Sequence, residues 1–269
     1  MRQQMTLQDI KDISLDLMKE FHNFCRKHDI HYSLAYGSLI GAIRHNGFIP
    51  WDDDIDIMMT RKDYERFVSL YQDNDYYSVI APEKGNSLIA YARLVDKKRT
   101  FVDVEAPWTN QDTGVWIDIF PFDGVEDDET EYNKTAEYTK ALWKKAFVAR
   151  HAYGKLSFKY SFWFNVKRFL KKIIYRDSIH RILKEHLDIC KRYKNKDYNF
   201  VANMTSLGFT NRFPKSFFND FITVKFEDSE FLSIKEFDSY LHDIFGNYMQ
   251  LPPENKRKNH VYHSFYWIK

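Results

Sequence analysis

The chain has only two cysteines in 269 residues, Cys25 and Cys190, far apart and each inside a helical pattern. That number and spacing exclude a metal knuckle and a disulfide framework, and two buried thiols suit a reducing compartment. Long apolar runs are missing too: nowhere do eighteen uncharged apolar residues follow one another, so no membrane-spanning helix is predicted. The opening stretch, MRQQMTLQDIKDISLDL, has no apolar core of signal-peptide length. These absences predict a cytoplasmic protein, free or peripheral at the inner face of the membrane. A strong net charge is absent, with +2 from 40 basic and 38 acidic residues, and it gives no general reason to bind nucleic acid. There is no internal repeat or low-complexity segment. What the chain does have is apolar content of 44% and aromatic content of 17%, enough for a sizeable core.

The most informative stretch is Leu34 to Met59, LAYGSLIGAIRHNGFIPWDDDIDIMM. Asp54 and Asp56 alternate with Ile55 and Ile57, so in a strand both carboxylates point to one face and both aliphatics to the other. Asp52, Asp53, Asp54 and Asp56 place four negative charges in five positions. Such crowding is unfavourable unless cations or arginine neutralise it. A hard divalent ion, Mg²⁺ or Mn²⁺, suits an all-oxygen set. Upstream, Ile30 to Tyr36 reads as a strand, and Gly37-Ser38 reads as a break before a helical run from Leu39 to Arg44. A small residue at a strand-to-helix turn lets backbone N–H groups approach a phosphate, which the helix N-terminus favours. Arg44 and His45 follow, able either to meet substrate phosphate or to satisfy Asp52 and Asp53. Asn46-Gly47 reads as a turn leading to Trp51.

Thr6 to Lys27 has apolar residues at helical spacing behind a Thr6/Asp9 capping box. Thr60 caps a helix over RKDYERFVSLY. Tyr76 to Ile80 and Leu88 to Val95 read as strands, and Arg93 in the second needs a carboxylate or a phosphate as partner. In Gly114 to Asp123, Asp118 lies on the opposite strand face from Val115, Ile117 and Ile119, with no visible partner in sequence. Glu131 to Arg150 and Ile179 to Tyr193 read as helices, Phe200 to Met204 and Ile222 to Phe226 as strands, PKSFF as a short helix and Ile234 to Phe245 as a helix ended by Gly246. Between Tyr138 and Arg176 there are eleven Lys or Arg and no acid, interleaved with aromatics. This suits an anionic membrane surface, or else a helical subdomain with a basic face. His260 and His263 lack a third ligand and read as surface or substrate-contact residues.

The string YGSLIGAIRHNGFIPWDDDIDI, Tyr36 to Ile57, resembles the LicD family, which includes phosphocholine transferases that decorate bacterial teichoic acids and lipopolysaccharides and is related to the fukutin proteins. GVWIDIFPFDG (Gly114 to Gly124), ARLVDKKRT (Ala92 to Thr100) and LPPENKR (Leu251 to Arg257) resemble further blocks of that family. The resemblance is dense over roughly residues 30 to 125 and thinner beyond. It implies an α+β fold, a nucleotidyltransferase-like mixed β-sheet core flanked by helices, with an additional mainly helical region. On this reading residues 1–125 form the catalytic core, 126–200 the basic-aromatic helical region and 201–269 a segment packing back on the core.

The resemblance also implies Asp54, Asp56 and Asp118 as catalytic, metal-binding carboxylates, with Gly37, Ser38, Arg44, His45, Trp51, Asp53 and Arg93 around the substrate. The implied reaction is transfer of phosphocholine from CDP-choline to a glycan hydroxyl with release of CMP, on a precursor that is lipid-linked. A quaternary ammonium calls for an aromatic cage, for which Trp51, Trp108 and Trp116 are candidates. The alternatives are transfer of another group such as ribitol or glycerol phosphate, nucleotidyl transfer, a DxD glycosyltransferase, and a membrane-associated glycan-binding protein without turnover. No nucleic-acid partner is expected.

Overall fold

A computed structural model describes residues 3–104, 107–109, 111, 113–151, 162–175, 178–207, 211–257 and 263–268. In chain order the elements are α1 (Leu7–Lys27), β1 (Ser33–Leu34), α2 (Tyr36–His45), β2 (Asp56–Thr60), α3 (Arg61–Leu70), β3 (Tyr77–Ile80), β4 (Ala92–Asp96), β5 (Thr100–Asp103), β6 (Trp116–Val125), α4 (Glu129–His151), α5 (Phe162–Tyr175), α6 (Ser178–Cys190), β7 (Phe200–Ala202), β8 (Arg212–Pro214), β9 (Phe221–Phe226), β10 (Ser229–Ile234), α7 (Phe237–Phe245) and β11 (Ser264–Trp267). The fold is α+β.

A seven-stranded sheet runs in the order β1-β2-β6-β4-β3, with β7 on the far half of β6 and β8 beyond it. The sheet is mixed, because β2 pairs parallel with β6 while β4 pairs antiparallel with it. Helix α1 covers one face through Ile10, Ile13, Leu17 and Phe21, all buried. The Thr6–Asp9 capping box forms at its start, each side chain accepting the other's backbone N–H. Thr60 caps α3 by accepting from Asp63 N–H. Behind the sheet Arg61 donates twice to Asp123, both at 2.7 Å, and both residues are buried.

Several boundaries differ from expectation for reasons outside the local sequence. The strand expected over Ile30 to Tyr36 contracts to Ser33–Leu34, because only those residues meet β2 in register. Ile234, expected to begin a helix, ends β10, a hairpin partner of β9, and the helix begins at Phe237. Strand β5 was not expected and exists because β11, from the far end of the chain, pairs with it. Thus segments of residues 201–269 add β8, the β9–β10 hairpin and β11 around the core. His260 and residues 152–161, part of the basic-aromatic stretch, lie outside the described residues. Among the described residues no helix is long and apolar enough to cross a membrane.

Candidate active site

The site is assembled where β1, α2, β2, β6 and β4 meet. Helix α2 begins at Tyr36, so Gly37 and Ser38 fill its first turn and do not break the chain before it. The sharp entry is made by Tyr36 at φ 44, a left-handed conformation that costs a bulky residue about 1–3 kcal/mol. Tyr36 is held there by its hydroxyl, which accepts from Asn203 Nδ2 at 3.0 Å. The first-turn N–H groups of a helix have no intrahelical acceptor, and Ala35 offers no side-chain cap. Asp52 lies beside that turn: a Cβ on Gly37 would stand 2.9 Å from Asp52 Oδ2. Ser38 Oγ accepts the Asp56 N–H at 2.8 Å, which ties the start of α2 to the start of β2.

Register then places the charged residues. Asp56 pairs with Asp118 across β2–β6, and Arg93 pairs with Asp118 across β4–β6. Side chains of such partners share a face and adjacent strands lie about 4.8 Å apart. Asp56, Asp118 and Arg93 therefore form one row, with Asp54 just ahead of β2. Arg93 Nε donates to Asp118 Oδ1 at 2.6 Å and its Nη2 to Tyr91 Oη at 3.2 Å. Trp116 Nε1 reaches Asp118 Oδ2 at 3.4 Å. The buried arginine has thus found a carboxylate partner, as a charge in an apolar strand must. Its guanidinium lies 4.3 Å from the ring of Trp108 and 4.4 Å from that of Trp116, yet Nη1 is buried without a hydrogen-bond partner.

Both DxD carboxylates are held well above the usual carboxylate range. For Asp54 the first cause is loss of solvation, then repulsion from Asp56, Asp52, Asp53 and Asp118. Asp54 nonetheless keeps contact with solvent. For Asp56 burial comes first, then Asp118 and Asp52, against a smaller opposing pull from Arg93.

The other expected residues divide. Arg44 donates to the carbonyls of Tyr248 and Gln250 and, at 3.0 Å, to His45 Nε2, so it fastens the C-terminal segment to α2. Burial and Arg44 push the His45 imidazole down. The Trp51 ring faces Arg257 at 5.6 Å. Asp53 is half-buried in the loop. Three residues that sequence reasoning did not pick, Lys11, Glu227 and Tyr91, also shape the site, together with His263, which it read as a surface or substrate-contact residue. Lys11 donates to the carbonyls of Ile49 and Pro50 at 3.2 and 3.0 Å, and Glu227 accepts Phe48 N–H at 2.9 Å, so the loop before the aspartates is clamped from two sides. Tyr91 is the second acceptor for Arg93, and His263 packs on Trp108 and Trp116 at 5.7 and 5.8 Å. Only the apolar context of Lys11 in α1 offered a signal in sequence.

The donor set can be tested against a divalent cation. Among the described residues no three carboxylates, imidazoles or thiols are gathered as a ready cage. Asp118 directs its oxygens at Arg93 and Trp116, leaving Asp54 and Asp56 as the pair whose mutual repulsion a cation relieves. That fits Mg²⁺, which is commonly bound by one or two carboxylates with water and substrate phosphate completing the shell.

A family model described as "LicD/FKTN/FKRP, nucleotidyltransferase domain" matches residues 29–169. The chain belongs to the LicD family. The strands and carboxylate row just described therefore sit in the nucleotidyltransferase domain that this family is named for. The lipopolysaccharide cholinephosphotransferase LicD of Haemophilus influenzae is similar from end to end, 30% identical over 272 residues, covering 95% of this chain and 96% of that one. Two uncharacterised proteins are similar over short stretches. One, from Rickettsia typhi, is 45% identical over 58 residues (21% of this chain and 19% of that protein), and the other, from Rickettsia prowazekii, is 46% identical over 54 residues (20% of each).

Proposed function

We propose that this LicD-family chain is a transferase that moves phosphocholine from CDP-choline to a sugar hydroxyl of a lipopolysaccharide- or teichoic-acid-type glycan precursor, releasing CMP. The observation that carries the reading is the end-to-end match to a lipopolysaccharide cholinephosphotransferase. The geometry by itself speaks of a cation and a phosphate. The residues fit both: Asp54 and Asp56 would hold Mg²⁺, and the first turn of α2 at Gly37 and Ser38 would face the donor's phosphates with favourable partial charge.

In phosphoryl transfer, positioning and charge neutralisation supply most of the catalysis. When bound, the metal would neutralise charge on the phosphate oxygens. Ser38 fixes the height of Asp56 on β2, and Gly37 keeps the helix entry open. Asp118, oriented by Arg93 and Trp116, is the third carboxylate and the acceptor for the proton of the attacking hydroxyl. That hydroxyl forms a bond to the phosphorus bearing choline while the bond to the CMP oxygen breaks. Arg44, by fastening Tyr248 and Gln250, and Trp51 with Asp53 close the loop side of the site.

One observation favours a different head group. Each expected cage residue already faces a cation, Trp108 and Trp116 facing Arg93 and Trp51 facing Arg257, so none of the three presents a bare ring to a trimethylammonium group. Ribitol or glycerol phosphate from a CDP donor would need no cage. Competition among CDP-choline, CDP-ribitol and CDP-glycerol for turnover with one acceptor decides between them: choline is expected to prevail, and a ribitol or glycerol donor consumed tenfold faster refutes the choline assignment.

We also place the protein at the inner face of the membrane. Trp163, Phe164, Phe169, Leu170 and Ile173 of α5 are exposed in a stretch whose charged residues are all basic, which suits an anionic bilayer. Sedimentation with phosphatidylglycerol vesicles, lost in Trp163→Glu, is the expected result; equal sedimentation of both proteins contradicts it.

A further inference from the structure

Two buried donors at the end of the carboxylate row have no acceptor among the described residues: Arg93 Nη1 and the indole Nε1 of Trp108. Arg93 is 8% exposed and Trp108 3%. The two groups touch, with the Arg93 guanidinium 4.3 Å from the Trp108 ring, which keeps both nitrogens within the span of one phosphate group. Their contact satisfies neither. Guanidinium and indole are donors only, and an indole N–H lies in the plane of its ring, away from a cation over the face. Trp116, the other ring against the cation at 4.4 Å, turns its own N–H to Asp118 at 3.4 Å, so it offers no acceptor either. Nor is Trp108 on a loose segment: its carbonyl accepts the Leu88 N–H at 2.6 Å, and the neighbouring Thr109 hydroxyl donates to the Asn86 carbonyl at 2.6 Å. Leaving buried donors unmade is costly, and an acceptor for these two has to come from outside the chain. One donor is cationic, so the complementary group is an oxyanion, which accepts and does not donate. The half-buried His263 packs on both indoles, and the cluster comes to the surface at that residue.

We propose that Trp108 Nε1 and Arg93 Nη1 together bind a phosphate group of the substrate at the end of the carboxylate row. The subsite rests on the phosphotransferase reading for its context and adds Trp108 as a substrate-binding residue, acting through its N–H edge and not through its ring face. Arg93 presents Nε and Nη2 to Asp118, so Nη1 holds the phosphate on another edge of the guanidinium and Asp118 keeps its partners while phosphate binds. The phosphate belongs either to the nucleotide donor or to the glycan acceptor.

The test reads the indole N–H itself in the purified full chain. The protein has six tryptophans, whose indole signals stand apart from the backbone in a nitrogen–proton correlation spectrum, and the signal missing from Trp108→Phe is that of Trp108. Titration with inorganic phosphate in Mg²⁺ is expected to move it downfield to a saturating limit, a change that a purely structural tryptophan would not show. CMP and glucose 6-phosphate are the other probes: a saturating shift with CMP alone assigns the phosphate to the donor, and one with glucose 6-phosphate alone assigns it to the acceptor. Titration calorimetry should show Trp108→Phe, and Arg93→Lys, which keeps the charge but removes Nη1, each weakening the bound probe about tenfold or more for the charge-assisted bond lost. The metal's contribution is common to parent and variants. A Trp108 signal unmoved by all three probes overturns the proposal, as do unchanged affinities in the variants, with Arg93→Lys carrying the comparison if Trp108→Phe fails to fold. Turnover of CDP-choline by the parent protein upholds the transferase reading in either case, so the two readings fail separately.

Discussion

Asp56→Asn should kill turnover and yet stabilise the metal-free protein. Both Asp54 and Asp56 are held above the usual carboxylate range in the folded chain, so the folded state binds more protons than the unfolded one. The sign follows directly: a carboxyl whose folded value is raised contributes stability below its unfolded value, near 3.9, and that stability is lost as pH rises through the folded value. At neutral pH the charged pair is therefore a liability. Residues two apart in extended chain are separated by about 6.6 Å, and two unit charges at that distance repel by about 2.5 kcal/mol at an effective dielectric of 20. Solvent reaching Asp54 lowers this to about 1–2 kcal/mol. In a chain of this size that is roughly 2–8 °C in melting temperature. Thermal denaturation in EDTA at pH 7.5 should show Asp56→Asn melting above the parent protein, with the gain shrinking toward pH 4.5. Adding Mg²⁺ should raise the parent protein and leave the variant nearly unmoved. A variant that melts lower at pH 7.5 in EDTA, or that gains as much at pH 4.5, would refute the argument that these carboxylates are poised for a cation.

Three further outcomes follow from the same geometry. Ser38→Ala leaves the Asp56 N–H without its acceptor and should cost about 1–2 kcal/mol of stability in urea titration, with a larger proportional loss in kcat than in KM. Gly41→Ala puts a Cβ 2.4 Å from the Gly47 carbonyl oxygen; it should destabilise by about 1–3 kcal/mol and displace the loop before the aspartates, seen as raised proteolysis near Trp51. Asp123→Asn removes the charge opposite the buried Arg61 guanidinium and leaves it the longer pairing with Glu83 at 3.4 Å; it should cost about 1–3 kcal/mol, read by denaturant midpoint, while Mg²⁺ affinity stays unchanged because the pair lies off the carboxylate row.

Local chemistry was legible in the sequence. Thr6 and Asp9 predicted a capping box, Thr60 a helix start, and the alternation around Asp118 its face, because each depends on neighbours within a few positions. The pairing of Arg93 with a carboxylate was also expected, since a charge in an apolar strand needs a partner; only register revealed that the partner is Asp118. What could not be read was non-local. β5 exists because β11 meets it from more than 150 positions away, and Ser229–Ile234 becomes a strand because β9 lies opposite. Lys11 and Glu227 act on one loop from opposite ends of the chain. Arg150 read as one of eleven basic residues in a charge-biased stretch, and its burial against Trp143 and Phe147 is a property of the packed helix alone.

Service of the paired carboxylates in phosphocholine transfer is tested most directly by incubating the purified chain and Mg²⁺ with CDP-choline, with and without a lipid-linked glycan precursor, and following the nucleotide product. CMP is predicted to appear only with acceptor and metal, and to disappear with EDTA or in Asp54→Asn and Asp56→Asn. Full turnover by those variants, or release of CMP unaffected by EDTA, would contradict that role.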